Sequence, residues 1–128
     1  MNGVTDDDLD ATEQRLGVVF PSDYRALMRS QDGFTEDGAG ATLMVNPLKT
    51  LVETNEEVAQ HVPELRPGAN FFGSDGSRES LVWDLRQTEP PVYLVDITNA
   101  GWHEALLQAS NLTAFVEQFR AEGGFRWS

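Results

Sequence analysis

Cysteine is absent from the 128-residue sequence, which excludes disulfide bonds, thiolate metal sites and a cysteine nucleophile. Apolar runs are short, well below the roughly 18 residues of a membrane-spanning helix. The start of the chain, Met1-Asn2-Gly3-Val4 followed after Thr5 by acidic residues, lacks the basic and apolar regions of a cleavable signal peptide. These absences predict a cytoplasmic protein that does not contact membranes.

Basic residues are also scarce. The sequence has 9 Lys+Arg against 21 Asp+Glu, which gives a formal net charge of -12. Because nucleic-acid affinity comes largely from Lys and Arg that neutralise phosphates, this balance disfavours direct nucleic-acid binding. An acidic surface either speeds the encounter with a basic protein partner or serves solubility alone, and composition leaves both interpretations open.

Motifs for catalysis and metal binding are missing as well. The spacing of Asp6, Asp8 and Asp10 imitates a calcium loop, but the glycine and the glutamate that such a loop needs are absent. Glu57 and His61 lie one helical turn apart. Side chains at this spacing are more often exposed to solvent than bound to a metal. The sequence contains neither a nucleophile elbow nor a phosphate-binding loop. It predicts no catalytic residue, no metal and no cofactor.

One helix is signalled at both of its ends. Phe20, Tyr24, Leu27 and Met28 fall at helical spacing and form one apolar stripe. Pro21 suits the first turn of this helix and Gly33 follows the stripe, as is typical of a helix start and a left-handed exit. We predict a core-facing helix in this stretch.

The remaining pattern predicts a single α+β domain over residues 1–128, with an antiparallel meander of about four to five strands flanked by helices. Further predicted helices are Thr5 to Leu16, Leu48 to Val62, and one that starts at Ser110 or Asn111. Predicted strands are Thr42 to Val45, Ala69 to Gly73, Glu79 to Leu85 and Val92 to Ile97. Thr35 to Ala41 is predicted as a Gly-rich acidic loop, and Trp102 to Leu107 fits either a loop or a strand.

Several stretches together resemble the SMI1/KNR4 (SUKH) superfamily. LGVVFPSDY, which ends at Tyr24, and the later Asp32-Gly33 resemble its opening motif. The later similarities are PLKTLVETN ending at Asn55, FGSDG ending at Gly76, Pro91-Val92-Tyr93, and the helix start Ala109 to Val116. The common order of these stretches covers about residues 16–119.

The resemblance implies an α+β binding module and no enzymatic activity. Many bacterial members of the superfamily are immunity proteins that bind a toxin domain, often a nuclease, delivered between competing cells. Fungal members are regulatory interaction proteins. The expected function is therefore binding and neutralisation of a polymorphic toxin, and the alternative is a regulatory or scaffold domain with an endogenous partner.

Charge and predicted loop position give candidates for the binding surface. An acidic face would pair with the basic groove of a nuclease while an aromatic side chain anchors the contact. The candidate protein-binding residues are Glu36, Asp37, Asp75, Glu79, Trp102 and Glu104.

Competing structural roles apply to several of these positions. Asp75 and Asp84 would act as a catalytic pair only if they converged in a cleft, so the pattern favours a turn role for Asp75. Trp83 alternates with apolar residues and is predicted in the core. Trp102 and Trp127 lie in polar or Gly-rich surroundings, which predicts partial exposure.

Overall fold

The computed structural model describes residues 3–61, 68–77, 79–96 and 102–127, without the side chains of His61 and His103. Some predictions fall partly outside these residues: the Glu57–His61 pair, the helix end at Val62 and the strand end at Ile97. No helix in the described part of the chain has the length and apolarity needed to cross a membrane.

Four helices form where the sequence predicts them. They are α1 (Asp6–Leu16), α2 (Ser22–Ser30), α3 (Leu48–His61) and α4 (Leu112–Glu122). Thr5 and Asp8 form a reciprocal capping box at the start of α1, and Gly17 ends this helix in the left-handed conformation. The side chain of Asn111 caps α4 by accepting from the amide of Ala114.

The sheet is an antiparallel meander, as predicted, with strands in the order β1-β2-β3-β4-β5-β6. Its strands are β1 (Phe34–Asp37), β2 (Thr42–Val45), β3 (Ala69–Ser74), β4 (Glu79–Asp84), β5 (Val92–Asp96) and β6 (Leu106–Ala109). The α+β class is therefore confirmed.

Two strand predictions need correction. The sheet has 6 strands, more than the expected number of about four to five, because both edge strands lacked a clear sequence signal. The predicted loop from Thr35 to Ala41 is wrong in its first part, since Phe34–Asp37 pairs with β2. The ambiguous stretch resolves into a 3-10 turn at Trp102–Glu104 followed by β6.

The larger core lies on one face of the sheet, here called the first face, where α1, α2, α4 and the first turn of α3 contribute buried residues. At its centre, the ring of Tyr24 lies 4.7 Å from Trp83 and 5.0 Å from Phe20, both edge-on. Burying each such side chain contributes roughly 1.5–3 kcal/mol. Other buried members of this cluster include Leu9, Met28, Leu43, Phe72, Leu81, Leu94, Leu112, Phe115 and Phe119.

A smaller core lies on the opposite face, here called the second face. Phe71, Val82 and Val95 project from the central strands and pack together with Val58 of α3. Partly buried residues, among them Trp102 from the 3-10 turn, extend this cluster. Both faces of the central strands are therefore buried, which explains their nearly continuous apolar sequence.

β3 contains a β-bulge. Phe71 pairs with Val82 and Gly73 pairs with Leu81, so Phe72 is an extra residue that has no partner in register. Phe71 and Phe72 are both buried, each on a different face, because neighbouring residues of a strand point to opposite sides of the sheet.

Side chain to main chain hydrogen bonds fix α3 against the sheet. The Asp32 carboxylate accepts from the amide of Leu48 at 2.8 Å, at the first residue of α3. The amide side chain of Asn55 donates to the carbonyl of Phe71 and accepts from its N–H, both at 2.7 Å.

Gly33 has a φ of 80°, and a Cβ there would lie 2.6 Å from the Val45 carbonyl oxygen.

Candidate functional site at the acidic end of the sheet

The meander topology brings the candidate acidic residues to one end of the sheet. In an antiparallel meander, the β1–β2, β3–β4 and β5–β6 connections lie at the same end. Register confirms this arrangement, because Met44 pairs with Ser74 while Glu79 pairs with Asp96. We call this region the acidic end; its described carboxylates are Glu36, Asp37, Asp75, Glu79, Asp96 and Glu104.

Two acidic residues of the β1–β2 hairpin differ in their partners. The Glu36 carboxylate accepts two hydrogen bonds from Nε and one from Nη2 of Arg120 on α4, at 3.0–3.1 Å. This pairing raises the pKa of Arg120. The exposed Asp37 accepts from the neutral hydroxyl of Thr42 at 3.2 Å. Asp37 therefore contributes negative charge to the surface more directly than Glu36.

Asp75 has a structural role in the β3–β4 turn. Its carboxylate accepts from the amides of Ser77 at 2.9 Å and Glu79 at 3.2 Å. Gly76 adopts a φ of 81° beside it. The predicted turn is confirmed, and both donors to the carboxylate are neutral main-chain amides.

Trp102 does not project from the acidic end. Its ring packs edge-on against Tyr93 on the second face, with ring centroids 5.5 Å apart. The guanidinium of Arg86 lies 4.8 Å from the centre of the Trp102 ring, on the solvent side of a half-buried indole. Partial exposure is thus correct for Trp102, but its ring packs on the second face, although the residue shares a 3-10 turn with Glu104.

The arginine above Trp102 is held by a buried carboxylate. Asp84 accepts from Nε and Nη2 of Arg86, each at 2.8 Å, and its side chain is 5% exposed. These hydrogen bonds hold the pKa of Asp84 below its usual value. Asp75 and Asp84 lie at opposite ends of β4, so they form no carboxylate pair.

Elsewhere on the surface, positive charges are neutralised locally. Arg25 pairs with Asp6, Asp10 and Glu13 of α1 at 2.9–3.2 Å. Every arginine in the described ranges forms at least one ion pair. The overall negative charge is therefore spread over surface carboxylates, several of which the connections place together at the acidic end.

A groove between α2, α4 and the β4–β5 turn has a volume of about 370 Å³. Its polar groups bond to one another: Asp23 accepts from the amide and hydroxyl of Thr113, and Asn111 donates to Glu89. These hydrogen bonds join neighbouring elements, so the polar residues of the groove stabilise the fold.

Comparison with protein families gives a match between residues 3–118 and the SMI1 / KNR4 family (SUKH-1). The chain belongs to the SMI1/KNR4 family. A comparison with curated proteins found no match. SUKH-1 membership is consistent with an immunity-type binding module.

Residues that carry the SUKH-1 resemblance are largely used by the fold. Asp32 and Asn55 fix α3, Asp23 binds the start of α4, and Tyr24 lies in the core. These motif residues therefore have structural roles in this chain.

Sequence reasoning missed one exposed apolar side chain. Leu107 on β6 is 55% exposed, while Val19 is 80% and Trp127 is 56% exposed. Leu107 lay in the ambiguous stretch, and only strand alternation within β6 could have marked it as outward-facing.

Proposed function

We propose that this protein is a cytoplasmic immunity protein that binds and neutralises a polymorphic toxin, in particular one with a basic nuclease domain. Membership of the SUKH-1 family supports the immunity class. The observation that carries the choice of partner is the convergence of three connections at the acidic end. By sequence, residues 36–42, 75–79 and 96–104 contain six carboxylates and one arginine.

Neutralisation follows from steric cover combined with charge. A nuclease binds phosphates through clustered Lys and Arg, and an acidic surface opposes the same groups. Complementary charge raises the association rate over about one Debye length, which is roughly 8 Å at physiological salt. A toxin whose basic groove is occupied in this way has no access to nucleic acid.

The first experiment titrates the purified protein against the toxin domain encoded next to its gene, with survival of toxin-expressing cells as a second readout. Tight binding together with rescue is the expected outcome. Absence of both would contradict the immunity role and favour a regulatory domain with an endogenous partner.

A charge-neutralising double variant tests the acidic end. Asp37→Asn with Glu104→Gln removes two exposed carboxylates from two connections, and we expect toxin binding to weaken about fivefold at low salt. The slope of log Kd against log salt concentration should also decrease, because fewer charges contribute to association.

A matched control removes the same charge elsewhere. Glu53→Gln with Glu117→Gln neutralises two exposed carboxylates on α3 and α4. This control should bind almost as tightly as the wild type. Equal weakening by both double variants would show that net charge, and not the acidic end, determines binding.

A further inference from the structure

β6 forms one edge of the sheet, and its register shows which main-chain groups face outward. The amide of Asp84 donates to the carbonyl of Pro91 at 3.3 Å. Asp84 and Pro91, which lie directly opposite each other at the end of β4 and just before β5, are therefore a hydrogen-bonded pair. Hydrogen-bonded pairs alternate along antiparallel strands, so Val82 and Tyr93 form the next one. Tyr93 therefore directs its main-chain groups to β4. Leu107, opposite Tyr93 on the other side, directs its N–H and C=O away from the sheet.

Exposed apolar side chains flank this edge. Leu107 is 55% exposed and lies on the second face, across from Tyr93. On the first face, the Gln108 side chain accepts from the amide of Arg126 at 2.8 Å and donates to its carbonyl at 2.6 Å. The next residue, Trp127, is 56% exposed. Leu107 and Trp127 are thus sequence neighbours of Gln108 and Arg126, the two residues that contact each other.

The two edges of the sheet differ in charge. β1 has the sequence Phe-Thr-Glu-Asp, whereas β6 has Leu-Leu-Gln-Ala and no charged side chain. Edge strands of soluble proteins usually carry charges that oppose pairing with another chain. β1 follows this pattern and β6 departs from it.

We propose that β6 is a strand-addition edge that binds an extended segment of the basic partner protein. This inference rests on the proposed function and identifies how the partner docks. The added segment bonds to the main chain of Leu107, and its alternate side chains contact Leu107 on one face and Trp127 on the other.

Charge favours a basic partner over a second copy of this chain. Each copy has a net charge of -12, so two copies repel each other as they approach. Glu104 precedes β6 at the acidic end, so a segment with Lys or Arg beside its apolar residues meets complementary charge there. Main-chain pairing supplies affinity, and the acidic end supplies orientation.

The decisive variant is Leu107→Pro, which removes the outward N–H. Proline is tolerated on an edge strand where the N–H faces solvent, so the fold should persist, as checked by circular dichroism and thermal unfolding. We expect affinity for the toxin domain encoded next to the gene to fall at least about tenfold, because a strand hydrogen bond and the leucine contact are both lost.

Thr35→Pro is the matched control on the opposite edge. The amide of Asn46 donates to the carbonyl of Phe72 at 2.9 Å, so by the same alternation Met44 faces β3. Thr35, which pairs with Met44, therefore directs its N–H outward from β1. Thr35→Pro removes an outward N–H from β1, as Leu107→Pro does from β6. Its Kd for the toxin domain should stay within about twofold of that of the wild type.

Two further variants change only a side chain and leave the main-chain N–H in place, so they test the proposal even if a proline variant unfolds. Leu107→Ser should weaken binding severalfold, whereas Val19→Ser, at a more exposed position between α1 and α2, should not.

The outcomes separate the two proposals. If the wild type binds the toxin domain and the Leu107 variants bind equally well, or Thr35→Pro weakens binding as much, the β6 inference is overturned and the immunity role stands. If the wild type does not bind, both are overturned. If light scattering shows a wild-type dimer that Leu107→Pro dissociates while toxin binding is kept, β6 pairs with a second copy and the partner assignment is wrong.

Discussion

Single side chains hold distant parts of this fold together through polar contacts. Asp23 and Asn55 each bond to the main chain of another element. Asp84 instead fixes the orientation of Arg86 over the indole of Trp102. Sequence patterns identified the motif positions, but they could not show that an arginine would cover Trp102, because that contact joins segments far apart in the chain.

The buried Asp84 carboxylate makes stability depend on pH. Arg86 holds the pKa of Asp84 below its usual value, so the ionised form stabilises the folded state above about pH 4. This stabilisation is lost as the pH falls through the lowered folded-state pKa. Asp84→Asn should lower the free energy of unfolding by about 1–3 kcal/mol at pH 7. Urea unfolding at pH 7, 5 and 3 should show the difference between wild type and variant shrinking with decreasing pH.

Glu53→Gln on the surface of α3 is the control for this experiment and should stay close to the wild type at each pH. A difference between wild type and Asp84→Asn that is constant from pH 7 to pH 3 would show that the effect comes from altered packing and not from ionisation.

Among the elements, those with strong apolar periodicity were predictable and the edge strands were not. β1 alternates between half-buried and exposed residues and contains one large apolar side chain, Phe34. β6 inverts the expected pattern, because Leu107 faces solvent while Gln108 is fully buried and bonded to Arg126. Burial of Gln108 depends on a contact with the C-terminal segment, which hydrophobic periodicity cannot reveal.

The side chain of Asn55 joins α3 to β3 by hydrogen bonds, in addition to the packing of Val58 against Phe71. Asn55→Ala leaves the N–H and C=O of Phe71 without their side-chain partners. We expect the free energy of unfolding to fall by about 1–3 kcal/mol, as measured by chemical denaturation.

Gln60→Ala, at an exposed position on the same helix, introduces the same residue and controls for helix propensity. An equal effect of the two substitutions would mean that the Asn55 contacts add nothing to stability.

For the whole molecule, net charge acts with opposite sign on folding and on association. Self-repulsion at a net charge of -12 destabilises the compact state, and the same charge attracts a basic partner. Sequence composition predicted this charge, but only the meander topology showed that several of the carboxylates lie at one end of the sheet.

Ionic strength should therefore change the two properties in opposite directions. Raising the NaCl concentration from 20 to 500 mM, where the Debye length falls well below about 10 Å, should raise Tm by roughly 2–5 °C and weaken toxin binding. Differential scanning calorimetry and titration calorimetry on the same samples measure both effects. KCl in place of NaCl is the control, and a decrease in Tm would show that local ion pairs outweigh global repulsion.

The outward direction of the Leu107 main chain also determines how fast its amide hydrogen exchanges with solvent. Its amide proton should exchange with deuterium within seconds in the free protein, whereas that of Leu106, directed toward β5, should exchange only when the sheet opens. The amide of Thr35 on β1 should exchange as fast as that of Leu107. The exchange lifetimes of the Leu107 and Thr35 amide protons thus report whether each edge of the sheet is occupied.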